Sequence, residues 1–224
     1  MNRSKFQRLP AVLSGLLLSG LCGTAVAQQS VQQTAPEQRQ EIAFENQLDS
    51  AAVAQILTPT DALAGSFEQQ KYLAVLPRPL NSSGHFDYAA GKGLEWAIEK
   101  PIASTVIISE QGISQQQGGK VVWQSDANSA ETSTVANIMA AIFAGDLQTL
   151  SATFDISGQQ SADNQYWQLQ LTPQSDVLKN FFNRIDMSGQ LNSTGQNLLR
   201  GLTLHEANGD RTEIRFSLTR LHDQ

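Results

Sequence analysis

Between Phe67 and Pro101 the chain alternates apolar and polar residues in three successive short segments, and a period of two is the signature of half-buried strands. The segments read F-E-Q-Q-K-Y-L, then P-L-N-S-S-G-H-F-D-Y, then G-K-G-L-E-W-A-I-E-K-P. In the second, Phe86 and Tyr88 share one face while His85 and Asp87 take the other. In the third, Leu94, Trp96 and Ile98 oppose Glu95, Ala97 and Glu99. Pro77, Pro79, Asn81 to Gly84 and Gly91 to Gly93 supply the turns. One face is large and aromatic, the other charged. Such a sheet needs an apolar cover on its inner face.

The first residues stand apart. Arg3, Lys5 and Arg8 precede the apolar run Ala11 to Leu21, and Ala25-Val26-Ala27 fits small-x-small cleavage. This pattern predicts a secretory signal peptide over residues 1–27, cut before Gln28. Leu21 is a poor residue to precede a lipidated cysteine, so Cys22 is read as part of the discarded peptide, leaving an exported chain without disulfides. Removing the three positive charges takes the formal charge from −6 to −9. An acidic balance argues against nucleic acid and against tight docking on anionic lipid.

Residues 28–36 read as a Gln-rich flexible lead-in, and 37–224 as one domain. Ile42, Leu48, Val53 and Ile56 predict a helix from Glu37 to Leu57, stopped by Pro59. Leu63 to Leu76 gives the first strand. Ser104 to Ser109, apolar on both faces, predicts a strand that is central or covered twice. Gly112 and Gly118-Gly119 mark tight turns before a strand from Lys120 to Gln124. At Ser133 the period changes. Val135, Ile138, Met139, Ile142 and Phe143 predict an amphipathic helix, capped by Ser133 or Thr134 and ended by Gly145. A core helix plugging a barrel and a lid over a cavity would both carry that stripe.

Strand alternation returns around Phe154, Trp167 to Leu171, Ile185, Leu202 and Ile214 to Leu218. A short helical excursion is expected at Ser175 to Phe182, and Asn208-Gly209-Asp210 signals a hairpin. The pattern gives about ten strands, a mainly β (α+β) class, and a curved antiparallel sheet or open barrel with inserted helices.

Catalytic and metal constellations are missing from the pattern. His85, His205 and His222 lack partners at metal-ligand spacing. There is no G-x-S-x-G elbow, Ser82-Ser83-Gly84 beside His85 does not make a nucleophile–base pair because neighbours in a strand project to opposite faces, and Gly91-Lys92-Gly93 is not a phosphate loop.

At Phe67-x-Gln69-x-Lys71, Gly84-x-Phe86 and Gly93-Leu94-x-Trp96 before Pro101, the chain resembles the outer-membrane lipoprotein carrier family, LolA, in a divergent branch. The resemblance implies an unclosed barrel of about ten strands whose concave apolar face is covered by helices. It implies a monomeric periplasmic carrier of acyl chains, moving between an inner-membrane donor and an outer-membrane acceptor, with no cofactor and no enzymatic activity. Phe67, Phe86, Tyr88, Leu94, Trp96, Ile107 and Trp123 are then candidates to line the cavity. Val135, Ile138, Met139, Ile142 and Phe143 are candidates for the lid. The family's Arg-Pro pair before the Trp, implicated in holding the lid closed, is replaced by Ala90-Gly91. That replacement implies a lid held in another way, or a cargo such as a glycolipid or pigment lipid. The alternatives are a lipid-sensing or interaction module on the same fold and, further off, a lipid hydrolase.

Overall fold

The structure, a computed structural model, describes residues 43–125, 130–193 and 195–221. Twelve strands form one antiparallel sheet. In chain order they are β1 (Phe44–Gln47), β2 (Ala62–Tyr72), β3 (Leu80–Ala89), β4 (Gly93–Lys100), β5 (Ser104–Ser109) and β6 (Gly112–Gln117). They continue with β7 (Lys120–Gln124), β8 (Phe154–Ser161), β9 (Tyr166–Pro173), β10 (Phe182–Leu191), β11 (Asn197–Glu206) and β12 (Arg211–Leu221). The spatial order is β1-β8-β9-β10-β11-β12-β2-β3-β4-β5-β6-β7, so β12 joins β2 and the sheet stays open between β1 and β7. This is the unclosed barrel that the resemblance implies. Four helices accompany it among the described residues: α1 (Ser50–Ile56), α2 (Ala130–Ala144), α3 (Leu147–Ser151) and α4 (Asp176–Lys179).

The strand count exceeds expectation by β1 and β6. The helix expected from Glu37 to Leu57 is a strand followed by a short helix over its described part. Phe44 to Gln47 pairs with β8, and Asp49 begins α1 by accepting from Ala52 N at 2.8 Å. The segment after Gly112 is a strand and not merely a turn, because its backbone pairs with both β5 and β7 although Gln115 to Gln117 carry no apolar signal. Strand β5 is not covered on both faces: Val106 and Ile108 are buried, Thr105 and Ile107 half-buried. The first strand ends at Tyr72, short of Leu76. Helix α2 is already under way at Ala130, so Ser133 and Thr134 lie within it and do not cap it. The signal peptide, the lead-in and His222 lie outside the described residues.

Register fixes which face is concave. The row Gly65–Phe86–Trp96–Val106 crosses β2 to β5, and Leu169–Met187–Leu202–Ile214–Gln69 crosses β9 to β12 and β2. Their apolar members are buried and belong to one core. Turns carry the chemistry they require. Gly209 at φ +89 makes the β11–β12 hairpin, and Ser175 caps α4 through Leu178 N.

Candidate functional site

The inner face of β2 runs Leu63, Gly65, Phe67, Gln69, Lys71, from apolar at one end to polar at the other. At the polar end Lys71 is fully buried and forms an ion pair with Glu206, which also accepts from Thr212 Oγ1 at 3.1 Å. Gln69 Nε2 donates to Ser82 Oγ at 3.1 Å. A buried charge survives only when paired and hydrogen-bonded, and this one is both. The concave face thus has a closed polar floor and an apolar body.

The body is aromatic. Phe67 and Trp96 stack at 3.8 Å between ring centroids. Phe216 of β12 meets Phe86 edge-on at 5.3 Å. Into this cluster α2 inserts Phe143, whose ring lies 5.2 Å from Phe86, 5.8 Å from Phe216, 6.3 Å from Trp96 and 6.5 Å from Tyr88. Offset and edge-to-face geometries of this kind add to the gain from burial alone. Helix α2 crosses β2 to β6, and Val135, Ile138, Met139, Ile142 and Phe143 are all buried beneath it.

Of the candidate lining residues, Phe67, Phe86, Tyr88, Leu94 and Trp96 share this concave core. Ile107 does not: it pairs with Glu95 and Ser114, one residue out of phase with the buried Val106 and Ile108, and so faces the convex side. Trp123 stands at the sheet edge opposite Gln115, half-buried against the core. The site also includes residues outside the expected set. Phe216, Trp167 and Met187 come from the second half of the chain, where alternation marked them as inward but nothing local tied them to α2.

The C-terminal end of α2 is anchored by backbone. Thr60 N donates to Ala144 O at 2.9 Å, and Asp146 N to Ala141 O at 2.9 Å. Gly145 has φ +67, and a Cβ there would stand 2.6 Å from Thr58 O. Glycine is required on both counts. Asp146 then caps α3, accepting from Thr149 N at 3.1 Å and Thr149 Oγ1 at 2.6 Å, and the Thr149 side chain above all holds its carboxyl below the usual aspartate value. Burial, followed by the charges of Asp61 and Asp146, pushes the Tyr88 phenol up, so it stays neutral at the rim. Ala90-Gly91 forms the β3–β4 turn, where Ala90 N donates to Asp61 O at 2.8 Å. Around that turn the end of α2 is held by the Thr58 to Thr60 backbone and by the aromatic cluster.

At this end of the concave face a cleft of about 330 Å³ opens between the α1–β2 connection, the end of α2 and the β10–β11 turn. Ile56, Leu63, Ile142, Phe143, Trp167 and Leu218 give it apolar walls, and none of its lining residues is charged. That volume is at the small end for a ligand pocket. The convex face differs. There Arg184, Asp186 and His205 form a partly exposed network, with His205 Nε2 2.8 Å from Asp186 Oδ2. His85 pairs with Glu99 in the open. No group of three or more His, Cys, Asp or Glu residues suited to a metal ion occurs among the described residues. No described helix is long and apolar enough to cross a membrane.

Residues 58–223 match the family model described as outer membrane lipoprotein carrier protein LolA. No curated protein sequence matches the chain. Similar solved structures include the LolA superfamily protein NE2245 of Nitrosomonas europaea, 10% identical, covering 77% of this chain and 91% of that one at a TM-score of 0.39. A putative outer membrane lipoprotein-sorting protein domain of Vibrio parahaemolyticus is 8% identical, covering 73% and 86% at 0.38. The lipoprotein LppX of Mycobacterium tuberculosis is 12% identical, covering 76% and 95% at 0.42.

Proposed function

This chain belongs to the LolA family of outer membrane lipoprotein carriers, and on that footing we propose that it is a periplasmic carrier for the acyl chains of a lipoprotein or another lipid. The exported chain would take its cargo at the inner membrane and release it towards the outer membrane. It is a binding protein, not an enzyme. Long acyl chains leave water with a gain of roughly 0.8 kcal/mol per CH₂ group, so a carrier must offer an equally dry surface and still let go.

The observation that carries this reading is the division of labour around the aromatic cluster. Phe67, Phe86, Trp96 and Phe216 are fixed on paired strands, while Phe143 fills the space between them from a helix that belongs to no ladder. Swinging α2 outward about Gly145 and the Thr60–Ala144 hydrogen bond would withdraw that ring and leave an apolar trough. An acyl chain would replace Phe143, Ile142 and Ile138 against the same strands. Met139, unbranched and adaptable, suits a helix that repacks on different chains. The Lys71–Glu206 floor would stop the chain at the far end.

The test is binding of a fluorescent long-chain fatty acid to the exported chain and to Ile142→Asp and Phe143→Asp. Wild type is expected to bind. Both variants are expected to lose binding while keeping a sheet-type circular dichroism spectrum. Unchanged binding in both would remove α2 from the site.

A further inference from the structure

Two residues that line the cleft beside α2 each carry a buried polar atom without a partner. Trp167 is 3% exposed, and its Nε1–H has no acceptor. Asn197 spends its amide nitrogen on Gln55 O at 3.0 Å, which leaves its Oδ1 buried and without a donor. Both residues line the cleft. Trp167 is also well fixed. Its strand neighbour is Gly189, and the indole occupies the space a Cβ would need there, so any other residue at Gly189 would displace the ring. Buried donors and acceptors are nearly always satisfied, and leaving one open costs its desolvation. One orphan in a cleft is a local cost. A donor and an acceptor together, in the wall of an uncharged cleft of mixed polar and apolar lining, describe a complement.

We propose that Trp167 Nε1–H and Asn197 Oδ1 bind the secondary amide of an N-acyl chain, whose carbonyl accepts from the indole and whose N–H donates to the asparagine. This rests on the carrier reading and specifies its cargo: a chain joined through an amide, not a free fatty acid and not an ester alone. The cleft lining argues the same way. It contains no Lys, Arg or His, so a carboxylate or phosphate would enter without a countercharge. An ester offers an acceptor to Trp167 but no donor, and Asn197 Oδ1 would stay open. An amide presents its acceptor and donor in opposite directions, which suits groups carried by β9 and β11 on either side of β10. The apolar walls continue from Leu63 and Leu218 to Ile142 and Phe143, so a chain anchored at the amide would run directly under α2.

The experiment displaces a fluorescent fatty acid from the exported chain with N-methylpalmitamide, methyl palmitate or hexadecanol. The first two differ only in N–H against O. The amide is expected to displace the probe at a concentration about tenfold lower than the ester, the worth of one buried hydrogen bond. In Asn197→Leu that ratio is expected to fall towards one. Equal displacement by amide and ester in the wild type overturns the proposal while the carrier reading stands. Hexadecanol matching the amide also overturns it, since a single hydroxyl would then satisfy the cleft. A chain that binds neither the probe nor any competitor overturns both. The wild-type comparison decides the matter even if Asn197→Leu folds poorly.

Discussion

Replacing Phe143 by Ala removes the one ring that α2 contributes to the aromatic cluster. The side chain is 2% exposed and meets four other rings at 5.2 to 6.5 Å. Truncating a buried phenylalanine costs about 3–5 kcal/mol. Where that cost appears depends on what α2 is. If α2 opens as a unit from a sheet that stays folded, Phe143 is lost only from the closed state. The loss then lowers the free energy of opening, and α2 amides should exchange at least about a hundredfold faster. Amides of β9, β10 and β11, which keep their ladders whether α2 is open or closed, should keep their protection. Native-state hydrogen exchange resolved by residue reads both. If α2 is an ordinary core helix, opening it means unfolding the sheet, and α2 and strand amides should accelerate together. Parallel acceleration would refute the reasoning that treats α2 as a separable cover.

Gly145→Ala forces an L side chain into φ +67 with its Cβ near Thr58 O, so it should weaken closure by at least about 1–2 kcal/mol. It should speed exchange at Ala144 and Thr60, and unchanged exchange there would remove the anchor. Lys71→Met leaves Glu206 without its countercharge, with only Thr212 Oγ1 still donating to it, and should lower stability by about 3–5 kcal/mol in urea titration. Lys71→Met combined with Glu206→Leu should recover much of it, and a single variant as stable as wild type would contradict the buried pair. Asp146 has a folded pKa below its ordinary value of 3.8, so its contribution is present above that value and lost as pH falls through the lowered one. Asp146→Asn should therefore differ from wild type near neutrality and converge with it in acid, and a constant offset at every pH would show that ionisation is not involved.

The concave face was legible wherever alternation was strict. Phe67, Phe86 and Phe216 each stand between polar neighbours, Trp96 stands between Glu95 and the small Ala97, and each of the four is buried. The α2 stripe was legible for the same reason at a different period. Ile107 was not, because Val106-Ile107-Ile108 is a continuous apolar run, and an unbroken run has no phase. Only the pairing of Val106 with Trp96 decides that Val106 and Ile108 point inward and Ile107 outward. Strands β1 and β6 were hidden because they are held by backbone pairing with little apolar burial. Backbone pairing, which sequence does not display, made strands of F-E-N-Q at the edge beside β8 and of the Gln-rich run between β5 and β7. The cleft was the least visible part. Trp167 and Asn197 are far from Ile142 in sequence, and β9 to β11 bring them together only through the order of a sheet whose long-range joint is β12 against β2. The unpartnered state of two polar atoms is a property of packing alone.

The central claim is that this chain carries an acyl group under α2, and native mass spectrometry of the protein taken gently from the periplasm tests it most directly. The account predicts added mass from a bound lipid or lipoprotein, displaced by a long-chain fatty acid and absent from Phe143→Asp. A wild-type protein found only at its own mass, and unable to take up an acyl probe, would mean that α2 and the aromatic cluster are a permanent core and that the function lies elsewhere on the molecule.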